Sequence, residues 1–209
     1  MTAPLDPAII APFLMAMVLV ELTPGPNMGW LALVSLSRGR TAGLAAVAGI
    51  TVGLAAWLAA ALLGLTQFVL DYPAVHEVIR WAGVAFLLWL AWEAWRGDGT
   101  TDAAEPEATR RALFLRGMVG NLLNPKAAVF YVALLPTFIR PGYATPLTQA
   151  LILGGLHLTI AVAVHSLVVF SAAGAGRALT ERMQGPAARA AMAAGLVLIA
   201  VWMAWQTQR

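Results

Sequence analysis

Cysteine is absent from this chain of 209 residues, and charged residues make up only 11% of it. The absence of cysteine excludes disulfides, thiolate metal sites and thiol–disulfide relays. Soluble domains carry about 25% charged residues and about 45–50% apolar residues. Because 60% of this chain is hydrophobic, the composition predicts an integral membrane protein in a lipid bilayer.

Lysine is nearly absent as well, since Lys126 is the only lysine among 13 basic residues. The other basic residues are arginines, most of them in predicted loops. The sequence pI of 10.0 therefore reflects loop arginines that orient the chain in the membrane. It does not indicate nucleic-acid binding. Residues 1–7 contain no Lys or Arg and lack the basic start of a signal peptide. We therefore expect the first apolar segment to remain as a membrane span.

Six apolar segments are long enough to cross a bilayer, since a hydrocarbon core of about 30 Å requires about 20 apolar residues in a helix. The expected helices are residues 8–36, 41–65, 75–95, 113–139, 147–175 and 187–205. A polar, acidic and proline-containing stretch, 97–112, is expected to form a mobile cytoplasmic linker. The sequence thus predicts one all-α transmembrane domain with a first half at 1–96 and a second half at 113–209.

Two proline motifs interrupt the first and fourth predicted helices. Residues 23–27 read Thr-Pro-Gly-Pro-Asn, and residues 121–126 read Asn-Leu-Leu-Asn-Pro-Lys. Proline cannot continue a regular helix, because it lacks the N–H and its ring clashes with the preceding turn. In lipid, irregular backbone is tolerated only where it is buried in protein or lines a cavity. Matching breaks in two halves of a membrane chain therefore indicate a transport site.

The two halves resemble each other in the order of their motifs. Pro24 and Pro125 are 101 residues apart, and the tetrads Trp-Glu-Ala-Trp at 92–95 and Trp-Met-Ala-Trp at 202–205 are 110 residues apart. A repeat of roughly 100 residues with loops of different length would give both offsets. Because each repeat would contain three spans, the second copy would run inverted in the membrane.

The arginines predict an orientation for these spans. Nine of them lie in the loops after the first, third and fifth predicted helices, whereas three lie on the other side, at positions 80, 140 and 209. The positive-inside rule then puts those three loops in the cytoplasm and both termini outside it.

Two charged residues lie within apolar segments beside the breaks. A charge at mid-bilayer costs roughly 2.5–3.5 kcal/mol on insertion scales, so Glu21 requires a partner, a wet cavity or a proton. Glu21 is a candidate proton carrier, and the alternative is a structural ion pair with Lys126. Lys126 is expected either to attract an anionic group such as a carboxylate, or to extend to an interface or neutralise Glu21.

The polar groups at the breaks form the predicted substrate site. Exposed N–H groups at the start of a half-helix would attract a carboxylate, and the alternative is a kink without a ligand. Asn121 and Asn124 share a helix face. There they could form hydrogen bonds with backbone groups that the break leaves without helical partners, or they could contact substrate. The predicted substrate-binding residues are Pro24, Gly25, Pro26, Asn27, Asn121, Asn124, Pro125 and Lys126.

Two histidines, His157 and His165, lie eight residues apart on the fifth predicted helix and therefore roughly on one face. A proton relay is one interpretation, and a hydrogen-bonded pair of helix histidines is the other. Haem or metal ligation is disfavoured, because no acidic or thiol ligand accompanies the histidines. We therefore expect no metal and no other cofactor.

Small residues follow one another at four-residue spacing on the second predicted helix, at Ala45, Gly49 and Gly53. In lipid, such a stripe lets another helix approach closely. We favour packing within the monomer, and a homodimer interface is the alternative.

Taken together, the motifs resemble the LysE/RhtB family of amino-acid exporters. The matching stretches are residues 23–27, 121–127 and 135–138, together with Phe130 and the Arg-Gly-Arg-Thr-Ala-Gly-Leu run at 38–44. The resemblance covers most of the chain. It implies export of amino acids or close derivatives from the bacterial cytoplasm across the inner membrane, driven by the proton gradient.

The chain departs from the family's pattern in two places. Members often carry an acidic residue midway along the fifth helix, where this chain reads Ile-Ala-Val-Ala-Val-His at 160–165. Conversely, Glu21 is not part of the family's motif. We therefore hypothesise that proton coupling runs through Glu21, His157 and His165.

The sequence and the resemblance thus predict a secondary transporter with six transmembrane helices, built as two inverted three-helix repeats, that exports an amino acid or close derivative in exchange for protons. A channel, or an exporter of ions or other metabolites on a similar scaffold, is the alternative. The opposite charges of Glu21 and Lys126 fit poorly with a single-ion selectivity ring. A membrane enzyme or haem protein that uses His157 and His165 is a third hypothesis.

Overall fold

Helices make up most of the protein in the computed structural model, which describes residues 3–22, 26–64, 72–96, 106–178 and 186–206. The α-helices are α1 (Pro7–Leu22), α2 (Pro26–Leu62), α3 (Pro73–Arg96), α4 (Pro106–Leu122), α5 (Pro125–Val129), α6 (Pro146–Ala178) and α7 (Pro186–Gln206). A π-helical turn (Phe130–Leu134) and a 3-10 turn (Leu135–Phe138) continue α5. Because no strand occurs in these ranges, the all-α prediction is confirmed for them.

A proline begins each of these α-helices. Proline suits the first helical position, because the N–H that it lacks would have no partner there and its φ is already helical. At Pro26 and Pro125 the breaks predicted from sequence become new helix starts. The predicted interruption in the fourth helix is therefore confirmed, since α4 ends at Leu122 and α5 begins at Pro125. For the first helix, α1 is described to Leu22 and α2 from Pro26, and residues 23–25 of the predicted break lie outside the described residues.

Most predicted helix bounds agree with the structure to within a few residues, but the fourth does not. The helix expected from residue 113 begins at Pro106, so residues 106–112 of the predicted linker are helical. Behind Pro106, this stretch contains Glu, Ala and Arg, which are strong helix formers. The rest of the predicted linker, 97–105, lies outside the described residues.

The helix α2 joins the predicted first and second spans without a loop. Its regular geometry is interrupted at Gly39, where φ is 81° and ψ is −173°. Essentially only glycine adopts this conformation. Gly39 therefore separates α2 into two segments, 26–38 and 40–62.

The centre of the bundle is α2, which packs extensively against α4 and α6, while α3 packs against α7. Two glycines allow α2 to approach α4. A Cβ at Gly49 would collide with the carbonyl of Phe114, and a Cβ at Gly53 would lie 2.9 Å from the Asn121 Cβ. The predicted packing of the small-residue stripe within the monomer is confirmed at these two positions.

Two helices in the described part of the chain are long and apolar enough to cross a membrane, Asn27–Leu62 and Pro146–Ala175. A shorter apolar helix, Pro7–Leu22, precedes them. The remaining predicted spans, and their arrangement as inverted repeats, stay predictions.

Candidate functional site

A cavity lies where the end of α1, the start of α2, the α4–α5 break and the middle of α6 meet. Its volume is about 420 Å³, including the part that is open to solvent. Its polar lining consists of Glu21, Asn27, Asn121, Asn124, Lys126, His157 and His165, and its apolar lining consists of Val20, Met28, Leu54, Ala127 and Phe130. The structure thus brings seven of the predicted site residues together.

Glu21 is the penultimate residue of α1, and only 7% of it is exposed. Its Oε1 lies 2.9 Å from His157 Nε2, and its Oε2 lies 3.5 Å from His165 Nε2. The first distance is that of a good hydrogen bond, whereas the second is too long for one. Since one carboxylate faces both histidines, the prediction that they share a face of the helix is confirmed.

Tyr131 contacts His157 from its other side, and it was not among the site residues predicted from sequence. The Tyr131 hydroxyl lies 3.0 Å from His157 Nδ1, and the Phe130 ring centroid lies 4.0 Å from that of the imidazole. Both aromatic residues belong to the π-helical turn, a geometry that is frequent at functional sites. Two sequence signals lie close to Tyr131: the Asn-Pro-Lys break that precedes the turn, and Phe130, which is among the residues that carry the family resemblance.

Asn121 lies on the opposite wall of the cavity, as the penultimate residue of α4. It is fully buried, and its Nδ2 donates to the Ile50 carbonyl at 2.9 Å. Its Oδ1 accepts a hydrogen bond of 3.1 Å from Asn27 Nδ2. The side chains of two asparagines thus connect the start of α2 to the end of α4, across 94 residues of sequence.

Asn124 caps α5, since its Oδ1 accepts a hydrogen bond of 3.0 Å from the backbone N–H of Lys126. As one of the two sequence readings proposed, Asn124 satisfies a backbone group freed by the break. Lys126 lines the same cavity as Glu21. Attraction of an anion and neutralisation of Glu21 both stay open for Lys126.

The other predicted site residues are prolines and a glycine at the breaks. Pro24 and Gly25 lie outside the described residues. Pro26 and Pro125 are the first residues of α2 and α5. Within the described ranges, no three or more His, Cys, Asp or Glu side chains are arranged to hold a metal ion.

Residues 18–207 match the family of LysE type translocators. The chain belongs to the LysE family. LysE proteins are embedded in the membrane and are transporters, not enzymes.

Three relatives with named activities are efflux proteins of bacteria. Over 112 aligned residues the chain is 37% identical to a homoserine/homoserine lactone efflux protein of Salmonella typhi. This alignment covers 53% of this chain and 52% of the relative. It is 29% identical to a leucine efflux protein of Klebsiella pneumoniae, covering 64% and 65%. It is also 29% identical to a threonine efflux protein of Escherichia coli, covering 41% and 44%.

The alignment with the Salmonella typhi protein thus spans about half the length of that relative. No solved structure shows significant similarity to the chain.

Proposed function

We propose that this LysE protein exports neutral amino acids or close derivatives from the bacterial cytoplasm in exchange for protons. The observation that carries the proposal is a cavity lined by one carboxylate, Glu21, and one ammonium, Lys126. A zwitterionic amino acid has the complementary pair of charges. The named relatives, which export homoserine or its lactone, leucine and threonine, support this substrate class.

In this proposal, the two charged ends of the substrate contact different walls of the cavity. The ammonium binds the Glu21 carboxylate. The carboxylate binds Lys126 or the backbone N–H groups at the start of α2, beside Asn27 and Met28, where the positive end of the helix dipole favours an anion. The substrate side chain packs against the apolar wall around Leu54 and Phe130.

The proposed architecture is two inverted three-helix repeats with the cavity near the membrane midplane. Each half contains a helix that ends in a break, a second helix that begins at a proline, and a glycine with positive φ before a long helix. The corresponding glycines are Gly39 and Gly142, with φ of 81° and 87°; the first half has a second glycine with positive φ, Gly64, at 78°. Rocking of one repeat against the other would open the cavity to each side in turn. We further propose that both termini lie outside the cytoplasm.

The first experiment is efflux from proteoliposomes that contain the purified full chain. They are loaded with labelled leucine, threonine or homoserine, with and without an outside-acid pH gradient. The proposal expects release that the gradient accelerates. Release that is indifferent to the gradient would contradict antiport, and no release by folded, inserted protein would contradict amino-acid export.

A matched pair of variants tests the carboxylate. Glu21→Gln keeps the shape of the side chain but removes its charge, and we expect it to abolish gradient-driven efflux. Glu77→Gln makes the same change at an exposed residue of α3 and should leave efflux unchanged. Wild-type rate and pH dependence in Glu21→Gln would contradict the role of this carboxylate.

A further inference from the structure

The side-chain amide of Asn27 is oriented by Asn121 so that its oxygen stays without a partner, and this geometry carries a further inference that rests on the proposed function. We propose that Asn27 Oδ1 is a second acceptor for the substrate ammonium, beside the Glu21 carboxylate. Asn121 is then a positioning residue that fixes the direction of the Asn27 amide. The inference deepens the proposed function, because it gives the ammonium an uncharged ligand on α2.

The Ile50 carbonyl sets the direction of the two amides. A backbone carbonyl can only accept, so the Asn121 group that lies 2.9 Å from it must be the Nδ2 donor. Asn121 therefore presents Oδ1 to Asn27, and the Asn27 group 3.1 Å away must be a donor too, its own Nδ2. Asn27 cannot exchange its amide nitrogen and oxygen without losing this hydrogen bond.

Asn27 Oδ1 is an acceptor without a hydrogen bond within the described part of the chain. Asn27 is half-buried and lines the cavity, whereas Asn121 is fully buried. The fully buried side-chain atoms that lack a partner among the described residues are Trp57 Nε1 and His165 Nδ1. Because Asn27 Oδ1 is not among them, this oxygen is accessible, and its direction is fixed before any ligand binds.

The side-chain oxygens of the cavity lining divide into two groups. Those that are already in hydrogen bonds are Glu21 Oε1, Asn121 Oδ1 and Asn124 Oδ1. Those that make none among the described residues are Asn27 Oδ1 and Glu21 Oε2, since the 3.5 Å from Oε2 to His165 Nε2 is too long for a hydrogen bond. The cavity thus offers a donor one oxygen from α1 and one from α2.

An ammonium group matches these two oxygens. It has three N–H donors, and a donor that is left unpaired in a largely apolar cavity costs free energy. Glu21 alone offers it one open oxygen, and Asn27 supplies the next. In an amino acid the carboxylate is attached to the same carbon as the ammonium. Binding at Asn27 Oδ1 therefore brings the carboxylate close to the N–H groups at the start of α2, as the proposed function requires.

Nitrogen NMR of the purified full chain observes this contact without any transport step. The sequence has three asparagines, and all three line the cavity. Labelling with ¹⁵N-asparagine therefore gives three side-chain NH₂ groups, which single substitutions to alanine assign. The probe is whichever of L-leucine, L-threonine and L-homoserine binds most tightly. At saturation we expect the largest shift at Asn27, and a largest shift at Asn121 or Asn124 would overturn the proposal.

Calorimetric binding to Asn27→Ala tests which group of the substrate the oxygen binds. Hydrogen bonds to charged groups are the stronger class, so we expect this variant to bind the amino acid about 10- to 100-fold more weakly than the wild-type protein does. The analogue without the ammonium, which is 4-methylpentanoate for leucine, should bind both proteins equally. Undiminished affinity for the amino acid, or an equal loss for both compounds, would overturn the proposal.

Two further variants and one further compound keep this comparison decisive. Ser37→Ala removes an exposed hydroxyl of α2 outside the cavity lining and should change neither affinity. Asn27→Ser is the second variant if Asn27→Ala does not fold. If the analogue without the ammonium binds too weakly to measure, the analogue without the carboxylate, 3-methylbutylamine for leucine, replaces it. This amine should lose as much affinity as the amino acid, and a smaller loss would overturn the proposal.

Asn121→Ala tests the positioning role. Without its acceptor the Asn27 amide can rotate, so we expect the preference for the amino acid over the analogue that lacks the ammonium to fall. Because both residues act through one oxygen, the double variant Asn27→Ala/Asn121→Ala should lose no more of this preference than Asn27→Ala alone. A purely structural role would lower stability and leave the preference unchanged, and losses that add would likewise overturn the positioning role.

Failure of the proposed function has a different result from failure of this inference. If none of the three amino acids binds to folded wild-type protein, the proposed substrate class fails, and the inference fails with it. If one of them binds and Asn27→Ala binds it equally well, the assignment of Asn27 fails while the proposed function stands.

Discussion

Replacing Gly49 by alanine should destabilise the contact between α2 and α4. All three nearest neighbours of a Cβ at this position are backbone atoms of Phe114 and Met118, and the new atom would collide with the Phe114 carbonyl. Backbone atoms within a helix cannot rotate away from the new Cβ as a flexible side chain can. The two helices must therefore move apart. Overpacking costs about 1–3 kcal/mol, and alanine offsets up to about 1 kcal/mol through helix propensity. Because the collision is severe, we expect a net loss of about 2 kcal/mol.

The assay is thermal unfolding of the purified protein in detergent, followed by tryptophan fluorescence. A loss of this size corresponds to a Tm lower by about 4–8 °C for a chain of this length. Gly155→Ala is the matched control, because a Cβ at this glycine of α6 meets no atom within 4 Å. It should be neutral or slightly stabilising. Equal Tm values for the two variants would show that α2 and α4 are not in contact at Gly49.

Three further substitutions have expected effects that the same assay measures. Asn124→Ala removes the cap of α5 and should cost about 1 kcal/mol, whereas Asn124→Ser should retain most of the stability; equal losses would exclude a capping role. Gln149→Leu removes three hydrogen bonds to the backbone of residues 140–144, and we expect a loss of about 1–3 kcal/mol and faster proteolysis of that loop. Gly39→Ala forces a side chain into a positive-φ conformation and should cost about 1–3 kcal/mol, although no atom lies within 4 Å of the new Cβ; stability like that of Gly155→Ala would contradict this.

The breaks and the helix starts could be predicted from sequence because their causes are local. Proline at positions 26 and 125 affects only the helical turn that contains it, and helices begin at both positions in the structure. The eight-residue spacing of His157 and His165 fixes their common face in the same local way. The early start of α4 was missed because the Glu-Pro-Glu sequence at 105–107 is equally typical of a linker and of a first helical turn.

The contacts between distant residues could not be predicted in the same way. The sequence suggested a proton or Lys126 for Glu21 and grouped Glu21 with the two histidines as a hypothesis. The direct hydrogen-bond contact between Glu21 and His157, which lies 136 residues away, is seen only in the structure. Tyr131 was missed because its position depends on the π-helical turn after α5, for which the sequence has no clear signal. Likewise, the Asn27–Asn121 hydrogen bond follows from how closely Gly53 lets α4 approach α2.

Glu21 and Asn121 occupy corresponding places, since each is the penultimate residue of a helix that ends at a break. Their side chains differ in one chemical respect: a carboxyl group can gain or lose a proton, whereas an amide cannot. The wall built by Asn121, Asn27 and Ile50 therefore keeps the same hydrogen bonds on both sides of a pH gradient. A proton can therefore change the hydrogen bonds that Glu21 makes, but it cannot change those between the two amides and the Ile50 carbonyl.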